Sequence, residues 1–393
     1  ITIPDFFARR FGDKKHLLSC IAAVVILIFF IPYTAAGFKA IGTLFNSLFG
    51  VEYHTAMIVG GIVVVLYTVM GGFMAVSFTD LIQSIFMTIA LIVIVCFGVQ
   101  QAGGLDTVID NARALPGYLN MTKGYDAASG TAASFSTLSI ISTLAWGLGY
   151  FGMPQVLLRF MGIRSEHELG RSRRVAIIWV VISMAAAVFI GVVGRSVAGL
   201  DYLSNNDAEN IFIDAATSYL PPILAGFACA GVLAAAISSS DSYLLISASA
   251  VSQNLYRGVF KKDATEKQVM WCSRITLVLI TIVAMAIAWN SNSTIFGITS
   301  FAWAGFGAAF GPLMLLCLFW KRTTYQGAIA GMVAGGAMVF FWKLVLKPLG
   351  GMFGIYELLP AFVISCVFIV VVSLLTAEPE KEIQEEFERA CAK

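Results

Sequence analysis

The stretch AWGLGYFGMPQVLLR, Ala145–Arg159, decides how the chain is read. Gly147, Gly149, Gly152 and Pro154 crowd the middle of an apolar segment running from Ser136 to Phe160. Glycine weakens a helix and proline removes a backbone donor. In lipid an unpaired backbone group is costly, so a broken helix survives only against protein or a cavity. Two readings follow: a kinked packing helix, or a discontinuous helix that lines a solute site. Trp146 and Tyr150 stand four residues apart, a spacing that puts both rings on one face of an α-helix.

The rest of the chain places this segment in a membrane. Hydrophobic residues make up 59% of the 393 positions and charged residues 12%, against about 25% charged in a soluble domain. About ten apolar blocks have the length that spans a bilayer. They are Leu17–Leu48, Thr55–Val76, Asp80–Gln100, Ser136–Phe160, Val175–Val197, Pro222–Leu255, Gln268–Trp289, Ile295–Trp320, Gly327–Val345 and Ile355–Leu375. The chain is therefore read as an all-α membrane protein, residues 1–376, with a charged helical tail over 377–393.

Charge orients it. Of the 25 Lys and Arg residues, nineteen fall at one set of alternate span ends and six at the other. The positive-inside rule puts the richer set, and both termini, in the cytoplasm of a multi-pass plasma (inner) membrane protein. Two outer loops are long. Ala102–Phe135 is one, carrying a sequon at Asn120; a second sequon, Asn292, also falls outside. Ala198–Pro221 is the other, with Asp201 and Glu209, and its stretch Asp207–Leu220 is expected to form a short amphipathic helix. A net charge of +2, with no basic cluster interleaved with aromatics, gives no reason to expect nucleic acid. The seven cysteines form no CxxC pair and are read as buried free thiols. His16, His54 and His167 have no paired ligands in sequence, so no metal centre of the zinc kind is expected. Ile1 opens the chain without an initiator Met, a charged leader or a cleavage site, so the sequence is expected to begin partway through a longer protein.

Three further stretches carry chemistry. Gly231–Leu245, GVLAAAISSSDSYLL, sets Ala235, Ser238, Asp241, Ser242 and Leu245 on one helical face, with Ser239 beside it. Hydroxyls, carbonyls and a carboxylate are oxygen ligands for a hard cation. An acid in mid-membrane is a functional hypothesis by default; the plainer reading is small-residue packing with Asp241 paired to a structural partner. Tyr67–Gln83 holds Asp80, its one ionisable group, which could equally be a helix-start acid. Ser300–Pro312, SFAWAGFGAAFGP, is either a hinge or a tight packing surface.

Taken together these residues resemble the sodium/solute symporter family, closest to its sodium/proline symporters of the PutP type. The opening TIPDFFARRFGDK, the run YTVMGGFMAVSFTDLIQ, the run WGLGYFGMPQVLLRFM and AGFGAAFGP carry the resemblance, which covers nearly the whole chain. It implies a leucine-transporter-type inverted-repeat fold, with core helices three to ten and two peripheral helices present and the first helices missing before Ile1. It implies sodium as the coupling ion, held first by the Ala235 carbonyl with Ser238 and Ser239. It also implies a second sodium at Asp80, Ser238, Asp241 and Ser242, where Asp241 stands at a position commonly serine. Tyr33, Trp146, Tyr150 and Pro154 match the substrate pocket of proline carriers.

The expected function is sodium-coupled symport of proline or a related small amino acid, with the solute and the lipid bilayer as partners. The alternatives are sodium- or proton-coupled transport of another small solute (a sugar, carboxylate or vitamin), or a transporter-like sensor module. An enzyme is not expected, since no nucleophile–base pair appears.

Overall fold

Lipid-length helices account for most of the chain. The computed structural model describes residues 2–126, 128–199, 207–290 and 293–391, with the side chains of 71–75 and 207 excepted. Asp201, the Asn292 sequon and the last two residues of the tail lie outside the described residues. Among those described, nine helices are long and apolar enough to cross a membrane. The outward faces of α7 (Glu166–Ala198) are almost wholly exposed, with Val175, Ile178, Val181 and Met184 each more than half exposed. In water such a surface would aggregate; against acyl chains it is solvated.

The centre is built from α2 (Leu17–Phe49), α9 (Pro222–Ser249) and α11 (Ile295–Phe319). The Asp13 carboxylate starts α2 by accepting from the backbone of Leu17 and Ser19 at 3.1 and 2.9 Å. Gly50, at φ 64°, ends it in the left-handed region. On α11, residues 302–314 are buried throughout, and the helix continues through Pro312. In this structure the glycines of the run serve close packing. They are contact points: a Cβ on Gly305 would lie 2.1 Å from the Phe29 ring, and one on Gly311 would lie 2.8 Å from Phe362.

The helical run α3 (Tyr53–Gln101) holds two expected spans, and two legs are found, Tyr53–Met70 and Val76–Gln101. The Tyr67 hydroxyl donates to the Thr79 hydroxyl. A straight helix would set these residues about 18 Å apart, so the run bends sharply between the legs. At the far end α12 (Tyr325–Phe341) and α13 (Leu358–Leu375) pack through Gly327, Gly331 and Gly335, a small-residue ladder at four-residue spacing. A Cβ on Gly331 would meet Ile369 at 2.1 Å.

Several expectations need correcting. The fourth expected span, Ser136–Phe160, is not one helix. The outer loop 102–135 holds α4 (Leu105–Ala114) and a two-stranded antiparallel hairpin, β1 (Lys123–Asp126) with β2 (Thr131–Ser134), a small addition to an otherwise helical chain. Only Cys229 and Cys317 among the free cysteines are fully buried; Cys96 and Cys391 are exposed. The expected outer helix is present as α8 (Ile211–Tyr219), and the charged tail as α14 (Lys381–Cys391). A short amphipathic helix, α1 (Ile3–Phe11), opens the structure, fixed by a capping box between Thr2 and Asp5.

Candidate functional site

The segment that opened the sequence reading is broken. Helix α5 (Thr137–Leu144) passes into 3-10 turns over Ala145–Phe151, and a second helix, α6 (Pro154–Met161), restarts at the proline. Pro154 occupies the first helical position, where its missing N–H costs nothing. The break lies against α11. A Cβ on Gly149 would sit 1.9 Å from the Trp303 indole nitrogen, and one on Gly152 would sit 2.2 Å from the Phe306 carbonyl oxygen. Only glycine permits that approach. Trp303 then donates its indole N–H to the Trp146 carbonyl at 2.9 Å.

The 3-10 geometry changes which rings face together. At three residues per turn, positions i and i+4 diverge by about 120° instead of lying on one face. The shared α-helical face expected for Trp146 and Tyr150 is therefore not formed. Both rings instead meet Trp303, Trp146 stacked at 5.3 Å between centroids and Tyr150 edge-on at 4.8 Å. Trp146 also stacks with Phe296 and Tyr356, both at 5.6 Å. Its faces are thus largely taken by protein, whereas Tyr150 is 49% exposed and keeps a free surface. Tyr33 on α2 is buried and packs on Tyr243 of α9 at 4.4 Å. Pro154 is buried at the start of α6.

The polar cluster forms where α3, α6 and α9 meet. Asp80 pairs with Arg159, on α6, and the Ser242 hydroxyl donates to the Asp80 carboxylate at 3.4 Å. Asp241 is fully buried, and neither of its carboxylate oxygens has a hydrogen-bond partner among the described residues. The same is true of the second Asp80 oxygen and of the side-chain oxygens of Gln83 and Gln155. Gln83 lies one turn beyond Asp80 on α3, and Gln155 one turn before Arg159 on α6, both on the faces of the paired residues. Buried acceptors without donors are costly in an apolar interior. An array of carboxylate and amide oxygens is the donor set of a hard cation. Ser238 donates to the Ala235 carbonyl within α9 at 3.2 Å, so those two oxygens are adjacent. Ser238 and Ser239 are half-buried on the same stretch.

Four residues of the site escape the sequence reasoning. Arg159 was counted as a loop charge, although it ends the stretch that opened the reading. Trp303 stood inside the small-residue run as an unexplained aromatic. Gln83 closed one quoted motif and Gln155 stood inside another, each without a role. A polar or aromatic side chain inside an otherwise small or apolar motif was the available signal in each case.

The model of the sodium:solute symporter family matches residues 1–335. The high-affinity proline transporter PutP of Bacillus subtilis (strain 168) is 40% identical over 388 residues, which is 98% of this chain and 79% of that protein. The sodium/proline symporter of Staphylococcus aureus is 38% identical over 395 residues, 99% of this chain and 75% of that protein. A solved structure of a Na+-coupled sialic acid symporter, substrate-bound and outward-open, superposes with a TM-score of 0.72 at 18% sequence identity, covering 97% of this chain and 78% of that one. The architecture is the leucine-transporter type.

Proposed function

The chain belongs to the sodium:solute symporter family, and we propose that it carries proline or a related small amino acid across the plasma membrane by sodium-coupled alternating access. The reading rests on the 40% identity, over nearly the full chain, with a protein named a high-affinity proline transporter. The free surface of Tyr150 beside the broken segment is where a small ring-bearing solute would rest, with Tyr33 and Pro154 bounding it. Nineteen of 25 basic residues at one set of span ends put both described termini in the cytoplasm.

Sodium is transported here as the driving ion. The second site is drawn from Asp80, Ser238, Asp241 and Ser242, and the first from the Ala235 carbonyl, Ser238 and Ser239. Charge favours a monovalent ion at the second site. With both acids ionised, two carboxylates and the Arg159 guanidinium leave one net negative charge, which one sodium ion balances. A divalent ion would leave an uncompensated positive charge in a poorly solvated place.

The test is uptake into proteoliposomes of proline, other small amino acids and a sugar. An inward sodium gradient is compared with a proton gradient in sodium-free buffer. Proline accumulating only on the sodium gradient is the expected outcome. Equal accumulation on the proton gradient would overturn sodium coupling, and a sugar accumulating in place of proline would overturn the substrate.

A further inference from the structure

The connector between α12 and α13 reaches back to the broken segment through one residue. Tyr356 stacks on Trp146 with ring centroids 5.6 Å apart and planes within 15°. Its hydroxyl donates to the Ser300 carbonyl on α11 at 2.5 Å. Its backbone N–H donates to the Ser142 hydroxyl on α5 at 2.7 Å. One side chain and its amide therefore join α5, the 3-10 turns and α11.

The residue is itself held firmly. Its neighbour Glu357 is 1% exposed and pairs with Lys347 at 2.8 Å and Lys343 at 3.9 Å, both in the helical turns that follow α12. The Lys343 ammonium lies over the Phe301 ring at 4.4 Å, next to Ser300. These ion pairs close the connector on itself around the buried Glu357 carboxylate, and the Lys343 contact with Phe301 ties it to α11. Trp146, in contrast, sits in 3-10 turns, whose hydrogen bonding is poorer than that of an α-helix. The weaker element is thus braced by the stronger one.

We propose that Tyr356 is a positioning residue for solute recognition, acting through Trp146 to fix the broken segment and so the ring of Tyr150. This rests on the reading that the broken segment lines the solute site. It gives the two helices outside the inverted repeats a task in binding: they brace the aromatic wall from outside. Among the described residues its hydrogen bonds and ring stack go to α5, the 3-10 turns and α11, so its effect is expected on solute binding before cation binding.

The test uses the full chain with Tyr356→Ala and Tyr356→Phe. Phenylalanine keeps the stack and the amide bond and loses only the hydroxyl, so it folds where alanine fails. Sodium-driven uptake of whichever solute the wild type accumulates is measured, with backbone hydrogen exchange across residues 142–152 and 235–242. For Tyr356→Ala the solute KM is expected to rise about tenfold, since a stacking contact and a hydrogen bond are lost together. The sodium concentration for half-maximal uptake should stay within about twofold, and exchange should rise over 142–152 alone. For Tyr356→Phe the KM should rise about threefold. An unchanged KM in both variants, or KM and sodium requirement rising together, overturns the proposal. If no solute is accumulated by the wild type, the transport reading fails on its own. Exchange then decides the brace: faster exchange confined to 142–152 supports it, and unchanged exchange there defeats it.

Discussion

Replacing Asp241 by asparagine should make the sodium-free protein more stable and the sodium-bound protein less so. Asp241 is fully buried, and its two oxygens have no donor among the described residues. An uncompensated buried carboxylate costs several kcal/mol, so removing its charge stabilises the ion-free state by roughly 1–2 kcal/mol. With sodium bound the sign reverses. A sodium ion about 2.5 Å from a carboxylate gains about 7 kcal/mol gross at an effective dielectric of 20. Desolvation offsets much of this, and the asparagine oxygen remains as a ligand. The net loss in sodium binding is then about 2–3 kcal/mol, or roughly 30- to 150-fold in affinity. The assay is thermal unfolding in detergent, titrating sodium chloride against choline chloride at constant ionic strength. Wild-type stability should climb by about 2.7 kcal/mol at a hundredfold excess over the dissociation constant. The Asp241→Asn curve should start higher and rise by less than about 1 kcal/mol over the same range. A variant that starts lower and keeps the sodium-dependent rise would refute the reasoning, and Asp241 would then be a packing acid.

Other outcomes follow from the same geometry. Tyr150→Ala should raise the solute KM well above that of Trp289→Ala, while Trp146→Ala, which empties a three-way stack, should cost about 3–5 kcal/mol of stability as well; calorimetry beside uptake separates the two. Gly152→Ala places a methyl against backbone on both sides, 2.2 Å from the Phe306 oxygen and 2.8 Å from the Gly311 nitrogen, and should cost about 2–3 kcal/mol or more, read as a lowered melting temperature. At the charged end, Phe387 lies under the Arg10 guanidinium at 4.9 Å, whereas the Lys321–Glu388 pair is exposed. Phe387→Ala should therefore expose the stretch before α14 to protease at physiological salt, and Glu388→Gln should leave it protected.

The parts legible in sequence were those whose cause is local. Span lengths follow from runs of apolar residues, and the break at 145–153 follows from glycine and proline inside one. The hydroxyl-and-acid face of α9 follows from helical spacing. What escaped was set by partners far along the chain. Asp80 and Arg159 are 79 residues apart, and nothing near either names the other. The spacing of Trp146 and Tyr150 was right for an α-helix, but the same glycines that break the helix tighten it into 3-10 turns. The rings then diverge and are gathered by Trp303, 157 residues after Trp146.

The glycines of α11 show why such cases stay open from one end of a contact. A run of small residues permits bending and permits close approach, and the local sequence holds no term that chooses. The choice lies in what stands opposite. A Cβ on Gly307 would sit 2.8 Å from the Gly149 Cα, so the glycine of one motif is fitted to the glycine of the other. A methyl at Gly307 would press on the Gly149 backbone and the Leu358 side chain, and one at Gly149 would press on the Trp303 indole. Read as a pair, the two motifs specify one contact. The broken segment needs Gly149 to let Trp303 reach its carbonyl, and α11 needs Gly307 to let Gly149 come near. A bend in α11 at Gly307 would open this contact, and in this structure the helix runs unbroken through Pro312.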